Sequence, residues 1–126
     1  MPRRSINIDE FSHASPIPTA SRIGNVIASG FIRGTDPATG KLAPTLEEQC
    51  ALMFQHLRRC VEKGGGRMED ILKVTIWVTK IDRKPINAEW AMAFPDPQSR
   101  PARQMCVMEM EPGVHIQCDF LPVLQS

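Results

Sequence analysis

The chain has 126 residues, 42% of them hydrophobic, with 15 Lys and Arg against 14 Asp and Glu for a formal net charge of +1, which suits one soluble domain over residues 1–126. This balance gives little support to a nucleic-acid surface, because the densest basic clusters, Arg3-Arg4 and Arg58-Arg59, are too short to track a phosphate backbone. Tyrosine is absent, so any chemistry falls to Arg, Asp, Glu, His, Cys, Ser and Thr.

A chain of this length buries roughly two-thirds of its unfolded surface and needs neither disulfides nor a metal to fold. Cys50, Cys60, Cys106 and Cys118 contain no C-x-x-C pair, so they are expected to be reduced thiols rather than metal ligands. Residues 1–14 read as an N-terminal arm or strand. They hold no apolar signal-peptide core, and no apolar run approaches the ~20 residues of a membrane span, so a cytoplasmic location is expected.

The Pro/Ser/Thr-rich stretch 15–21 is expected to be irregular, and residues 25–32 to form a buried strand ending near Ser29-Gly30. Asp36-Pro37-Ala38-Thr39-Gly40 predicts a chain reversal. Thr45 and Glu48 then form a T-x-x-E capping box, followed by Leu46, Cys50, Met53, Leu57 and Val61 at helical spacing. Phe54 widens that stripe, Gln49, Gln55, Arg58, Arg59 and Glu62 fall outside it, and Gly64-Gly65-Gly66 ends the helix in left-handed backbone. Residues 71–80 alternate as a strand with Leu72, Val74, Ile76 and Val78 toward the core. Lys73, Thr75, Trp77 and Thr79 take the other face, which carries too little charge for a solvated surface and is expected to be covered by another chain.

Asp82 to Pro85 start a second helix with Ile86, Trp90 and Phe94 or Ala93 on its apolar side, ended by Pro95 and Pro97. Residues 103–110 and 114–124 are two further strands around Glu111-Pro112-Gly113. In the last, Val114, Ile116, Cys118 and Phe120 point one way, and His115, Gln117, Asp119 and Leu121 the other. The order predicts an α/β fold in which two helices cover one face of a mixed sheet, leaving self-association to cover the other.

Among candidate chemical groups, Arg103 enters a strand after a Pro-rich loop, and its planar fork suits a small carboxylate. Gln117 and Asp119 share a strand face and would meet Arg103 if the two strands shared one cleft. Ser29 and Gly30 could offer a hydroxyl and a close backbone N–H. His13, His56 and His115 are scattered and read as structural or exposed.

Together, Gly24-Asn25, Ser29-Gly30, Asp36-Pro37-x-Thr39-Gly40, the Gly-rich helix end, Lys73-Val74-Thr75-x-x-Val78, Asn87 and Pro101-Ala102-Arg103 resemble the RidA (YjgF, L-PSP endoribonuclease) family over about residues 15–124. The resemblance implies an α+β fold like Bacillus chorismate mutase, with the last strand inserted between earlier ones. It also implies a homotrimer with ligand sites at its three subunit interfaces. The activity it implies is cofactor-independent hydrolysis of a small reactive 2-imino acid to a keto acid and ammonia, with Arg103 gripping the carboxylate and the Gly30 amide assisting. The resemblance also implies that Asn87 lines the pocket. Three positions depart from the family pattern: Ile17 stands for its tyrosine, Met105 for its cysteine and Gln117 for its water-positioning glutamate. An amide cannot act as a carboxylate base, which leaves Asp119 as a substitute or the protein as a non-catalytic binder of a small carboxylate metabolite. A ribonuclease or translation inhibitor is the least favoured reading, given near-neutral charge and no paired histidines.

Overall fold

The computed structural model describes residues 1–8 and 15–125, so His13 lies outside the described residues. The elements are β1 (Arg4–Ile6), β2 (Ala20–Ile23), β3 (Val26–Ser29), β4 (Ile32–Arg33), β5 (Thr35–Asp36), β6 (Lys41–Leu42), α1 (Leu46–Lys63), β7 (Ile71–Val78), α2 (Arg83–Ala93), β8 (Ala102–Val107) and β9 (Ile116–Pro122). Antiparallel β1-β2-β3 forms one sheet and β4-β9-β7-β8 another, of which only β7 and β8 run parallel, joined through α2. The two sheets abut where Val26 bridges Val123, the Leu124 N–H donates to Asn25 O at 2.6 Å and the Phe120 N–H donates to Ser29 Oγ at 3.0 Å. The last strand therefore lies between β4 and β7 rather than beside β8, as the family resemblance implies.

The helices pack on one face because their apolar stripes have nowhere else to go. Cys50, Met53, Phe54, Leu57 and Val61 of α1, with Ile86 of α2, are buried against Val74, Ile76 and Val78 of β7 and Ile116, Cys118 and Phe120 of β9. Thr45 caps α1, its Oγ1 accepting the Glu48 N–H at 3.2 Å while its hydroxyl donates to the Glu48 carboxylate at 2.9 Å. Among the described residues no helix is long and apolar enough to cross a membrane.

Five local expectations are corrected. Ala20 and Ser21 belong to β2, because pairing with both β1 and β3 satisfies a backbone whose side chains lack strand character. The single strand over 25–32 is two, broken at Gly30-Phe31, where the chain leaves β2 to pair with β9. At the end of α1 the left-handed residue is Gly65 (φ +94°), whereas Gly64 is right-handed (φ −77°). Leu72 is 59% exposed and Ile71 buried, since a register slip between Ile71 and Lys73 shifts the alternation by one residue.

The fifth concerns polar residues of α1. Gln49 is fully buried, with Nε2 donating to Ala43 O and Gly113 O at 2.7 Å each, and Oε1 accepting the His115 N–H at 2.9 Å. Hydrogen bonding at both ends of the amide is what makes its burial tolerable. His56, also buried, donates from Nε2 to Thr35 O at 2.6 Å, with Nδ1 facing Arg59 at 3.4 Å. Thus α1 is tied by buried polar side chains to the loops on either side of it.

The segment after β4 passes so close to α1 that a Cβ at Gly34 would collide with Gln49 Cα and lie 2.6 Å from Gln49 Cβ. Gly34→Ala is therefore expected to destabilise the fold by about 1–3 kcal/mol through overpacking. Urea unfolding with an unchanged midpoint would contradict this close approach.

Candidate functional site

Strand register decides which candidate groups can meet. Arg103 pairs with Val74, which in turn pairs with Phe120, so Arg103 projects on the helix side of the sheet. Gln117 pairs with Trp77 and Asp119 with Thr75, which places both on the opposite, open face. The expectation that Arg103 meets Gln117 and Asp119 in one cleft is thus corrected for a single chain, because the pleat separates them.

On the helix side, Arg103 Cζ lies 5.0 Å from the centroid of the Trp90 ring. Trp90 is itself fixed by Phe94 (4.6 Å) and Phe54 (6.4 Å), forming an aromatic platform on α2. Arg103 Nη1 is buried without a hydrogen-bond partner among the described residues. Burial, with the positive charge of Arg83 nearby, lowers the Arg103 pKa from its ordinary value. An orphaned guanidinium hydrogen on a rigid ring is a ready receptor for an anionic oxygen. Met105 shares this face through its pairing with Ile76, and Asn87 is exposed on α2 one turn before Trp90.

On the open face, Gln117 is 1% exposed, and Arg33 Nε donates to its Oε1 at 3.0 Å while Arg33 Nη1 contacts Glu111 Oε2 at 3.2 Å. Guanidinium carries only donors, so this bond fixes the amide with oxygen toward Arg33 and its NH2 group turned away from it. Phe31 and Trp77 stack edge-on at 5.1 Å beside it. Burial pushes the Asp119 carboxyl up, with Lys73 pulling weakly the other way. Ile23, Val26, Leu121 and Val123 are exposed on the same face, forming the apolar surface that sequence patterning expects to be covered by another chain.

The remaining candidates lie near the junction of the two sheets or on the surface. Ser29 Oγ is occupied by the Phe120 N–H, so it holds β3 to β9. The Gly30 N–H donates to Thr19 O at 2.9 Å and is committed within the chain, contrary to its expected availability. A Cβ at Gly30 would meet only Thr19 O, at 3.6 Å, so the chain's own packing does not demand glycine there. Ile17 is 56% exposed. Burial raises the Cys60 thiol to about 11 and the Cys50 thiol to about 12, and pushes Cys118 up as well, so these three are inert packing groups. Sequence reasoning missed Trp90 as the seat of Arg103, Arg33 as the partner of Gln117, and Arg83. The helical spacing of Arg83, Asn87 and Trp90 was the available signal for the first and third.

Asp119 provides a pH test. A folded-state pKa above the unfolded value of ~3.9 means that the native state prefers the protonated carboxyl, so ionisation costs stability above the folded pKa and nothing below the unfolded one. Asp119→Asn is expected to raise the urea midpoint relative to the parent at pH 7 and to lose that advantage near pH 3. An advantage independent of pH would contradict the burial of this carboxylate.

Comparison with known proteins agrees with this architecture. Residues 8–121 match the family model described as Endoribonuclease L-PSP. A RutC family protein of Aquifex aeolicus is 29% identical over 116 residues, covering 86% of this chain and 93% of its own. A candidate endoribonuclease from Thermotoga maritima superposes with a TM-score of 0.87 at 28% identity, over 98% of each chain. RidA from an Antarctic Psychrobacter species does so at a TM-score of 0.87 and 19% identity, over 96% of this chain and 99% of its own, a likeness of fold alone.

Proposed function

Since the chain belongs to the RidA/L-PSP endoribonuclease family, we propose that it is a cofactor-independent deaminase that hydrolyses a small 2-imino acid to the 2-keto acid and ammonia. The observation that carries this reading is the buried, partnerless Nη1 of Arg103 on the Trp90 ring, the chemistry of a carboxylate clamp. In the proposed assembly, three copies turn their open faces inward. Arg103 of one protomer then approaches Gln117 and Asp119 of its neighbour, which covers the exposed Ile23, Val26, Leu121 and Val123 in the same step. Gly30 and Ile17 leave room for the approaching chain or ligand, and Asn87 and Met105 flank the clamp.

Water adds to the C2 carbon of the imine, and its proton passes to a nearby carboxylate. The carboxyl returns that proton to the carbinolamine nitrogen, the C–N bond breaks as the hydroxyl oxygen forms the C=O of the keto acid, and the hydroxyl proton leaves with the departing ammonia as ammonium. Gln117 donates from Nε2 and orients the water or the developing oxygen, but it cannot take the proton. Asp119, raised by burial, is the acceptor on that face.

A second reading, a non-catalytic binder of small keto acids, is favoured by one observation: the Gln117 oxygen is already occupied by Arg33. Ammonia release from freshly generated 2-iminobutyrate separates the two. The deaminase reading predicts acceleration over buffer, lost by about 100-fold in Arg103→Ala, the scale of one charge-assisted pair. No acceleration, with 2-oxobutyrate still bound, supports the binder. Retained ligand affinity in Arg103→Ala would contradict both. Gly30→Ala is expected to leave the far-ultraviolet circular dichroism of the fold unchanged while weakening 2-oxobutyrate binding, and unchanged binding would remove Gly30 from the site.

A further inference from the structure

Arg83 is the first residue of α2, a helix with no acidic residue in its first turn and no side-chain hydrogen bond from its N-cap Asp82. A cation there opposes the helix dipole, so helix stability gives no reason for it. Among the described residues Arg83 makes no ion pair, with Asp82 or any other acid. Its position on the helix is informative. Arg83, Asn87 and Trp90 are spaced by four and three residues and therefore share one side of α2, with Arg83 and Trp90 about 10 Å apart along the axis.

Trp90 is the ring beneath Arg103, so this stripe runs from an exposed cation, past the exposed amide of Asn87, to the half-buried guanidinium of Arg103. The two arginines are also close enough for Arg83 to lower the Arg103 pKa. Like charges brought near each other, neither of them ion-paired among the described residues, are unfavourable in the free protein, and a ligand with an anionic group at each end relieves both.

We propose that this site takes a dicarboxylic 2-imino or 2-keto acid, Arg103 gripping the carboxylate beside the reacting carbon and Arg83 reading the distal carboxylate. The inference rests on Arg103 being the carboxylate clamp and adds the substrate class. Arg83 is thus a specificity residue, and Asn87 lies along the ligand between the two cations.

Calorimetric titration of the intact protein with 2-oxoglutarate and with 2-oxobutyrate tests it. Wild type should bind 2-oxoglutarate at least 10-fold more tightly. Arg83→Gln should remove that preference by weakening 2-oxoglutarate far more than 2-oxobutyrate, and Arg83→Lys should restore part of it. Equal affinity for the two acids in wild type, or a preference that survives Arg83→Gln, overturns the role of Arg83 and leaves the Arg103 clamp standing. Binding of neither acid overturns the clamp and the inference with it.

Discussion

A guanidinium hydrogen buried without an acceptor is costly, and Arg103 is held in that condition by the elements around it. Leaving a polar group unsatisfied costs about 1–3 kcal/mol, and more when it is charged. Stacking on an aromatic face returns about 0.5–2 kcal/mol, so Trp90 offsets part of the cost and leaves the rest. The arrangement persists because β8 is fixed to β7 over six residues and α2 is anchored by Ile86 and Phe94 in the core. An anionic oxygen at Nη1 would remove the residual cost, which supports the proposed clamp on energetic as well as geometric grounds.

The same register has a second consequence. Alternation along β7, β8 and β9 sends Arg103 to the helix side and Gln117 and Asp119 to the open side. In the proposed site the clamp and water-side groups therefore belong to different surfaces of one chain, and completing it would take a second copy. In the proposed assembly the exposed Ile23, Val26, Leu121 and Val123 would supply the driving force, so assembly and site formation would have one cause.

Much of this was legible in the sequence because it depends on local rules. The capping box and apolar spacing place α1 within a residue, and the alternation in β9 orients the core side chains Ile116, Cys118 and Phe120 correctly. What escaped depends on contacts between distant segments. The slip that exposes Leu72 is set by pairing with β9, and the burial of Gln49 and His56 is made tolerable by carbonyls of Ala43, Gly113 and Thr35 that no local pattern announces. Likewise, Pro101-Ala102-Arg103 pointed to Arg103 as the proposed clamp, but its side of the sheet became clear only with the pairing of β8. The departures at Ile17, Met105 and Gln117 were visible as residue types. The bond from Arg33 gives the last of them physical content, since it turns a water-holding position into one that offers hydrogen.

The central claim, a site shared between protomers, is tested most directly by mixing two defective variants, Arg103→Ala and Asp119→Ala, under conditions that exchange subunits. Each alone should lack 2-iminobutyrate hydrolysis. In random trimers about a quarter of the interfaces pair an intact Arg103 with an intact Asp119, so the mixture should recover up to about that fraction of parental activity. No recovery, despite demonstrated exchange and a parent that is active, would contradict the shared site and place the chemistry within a single chain.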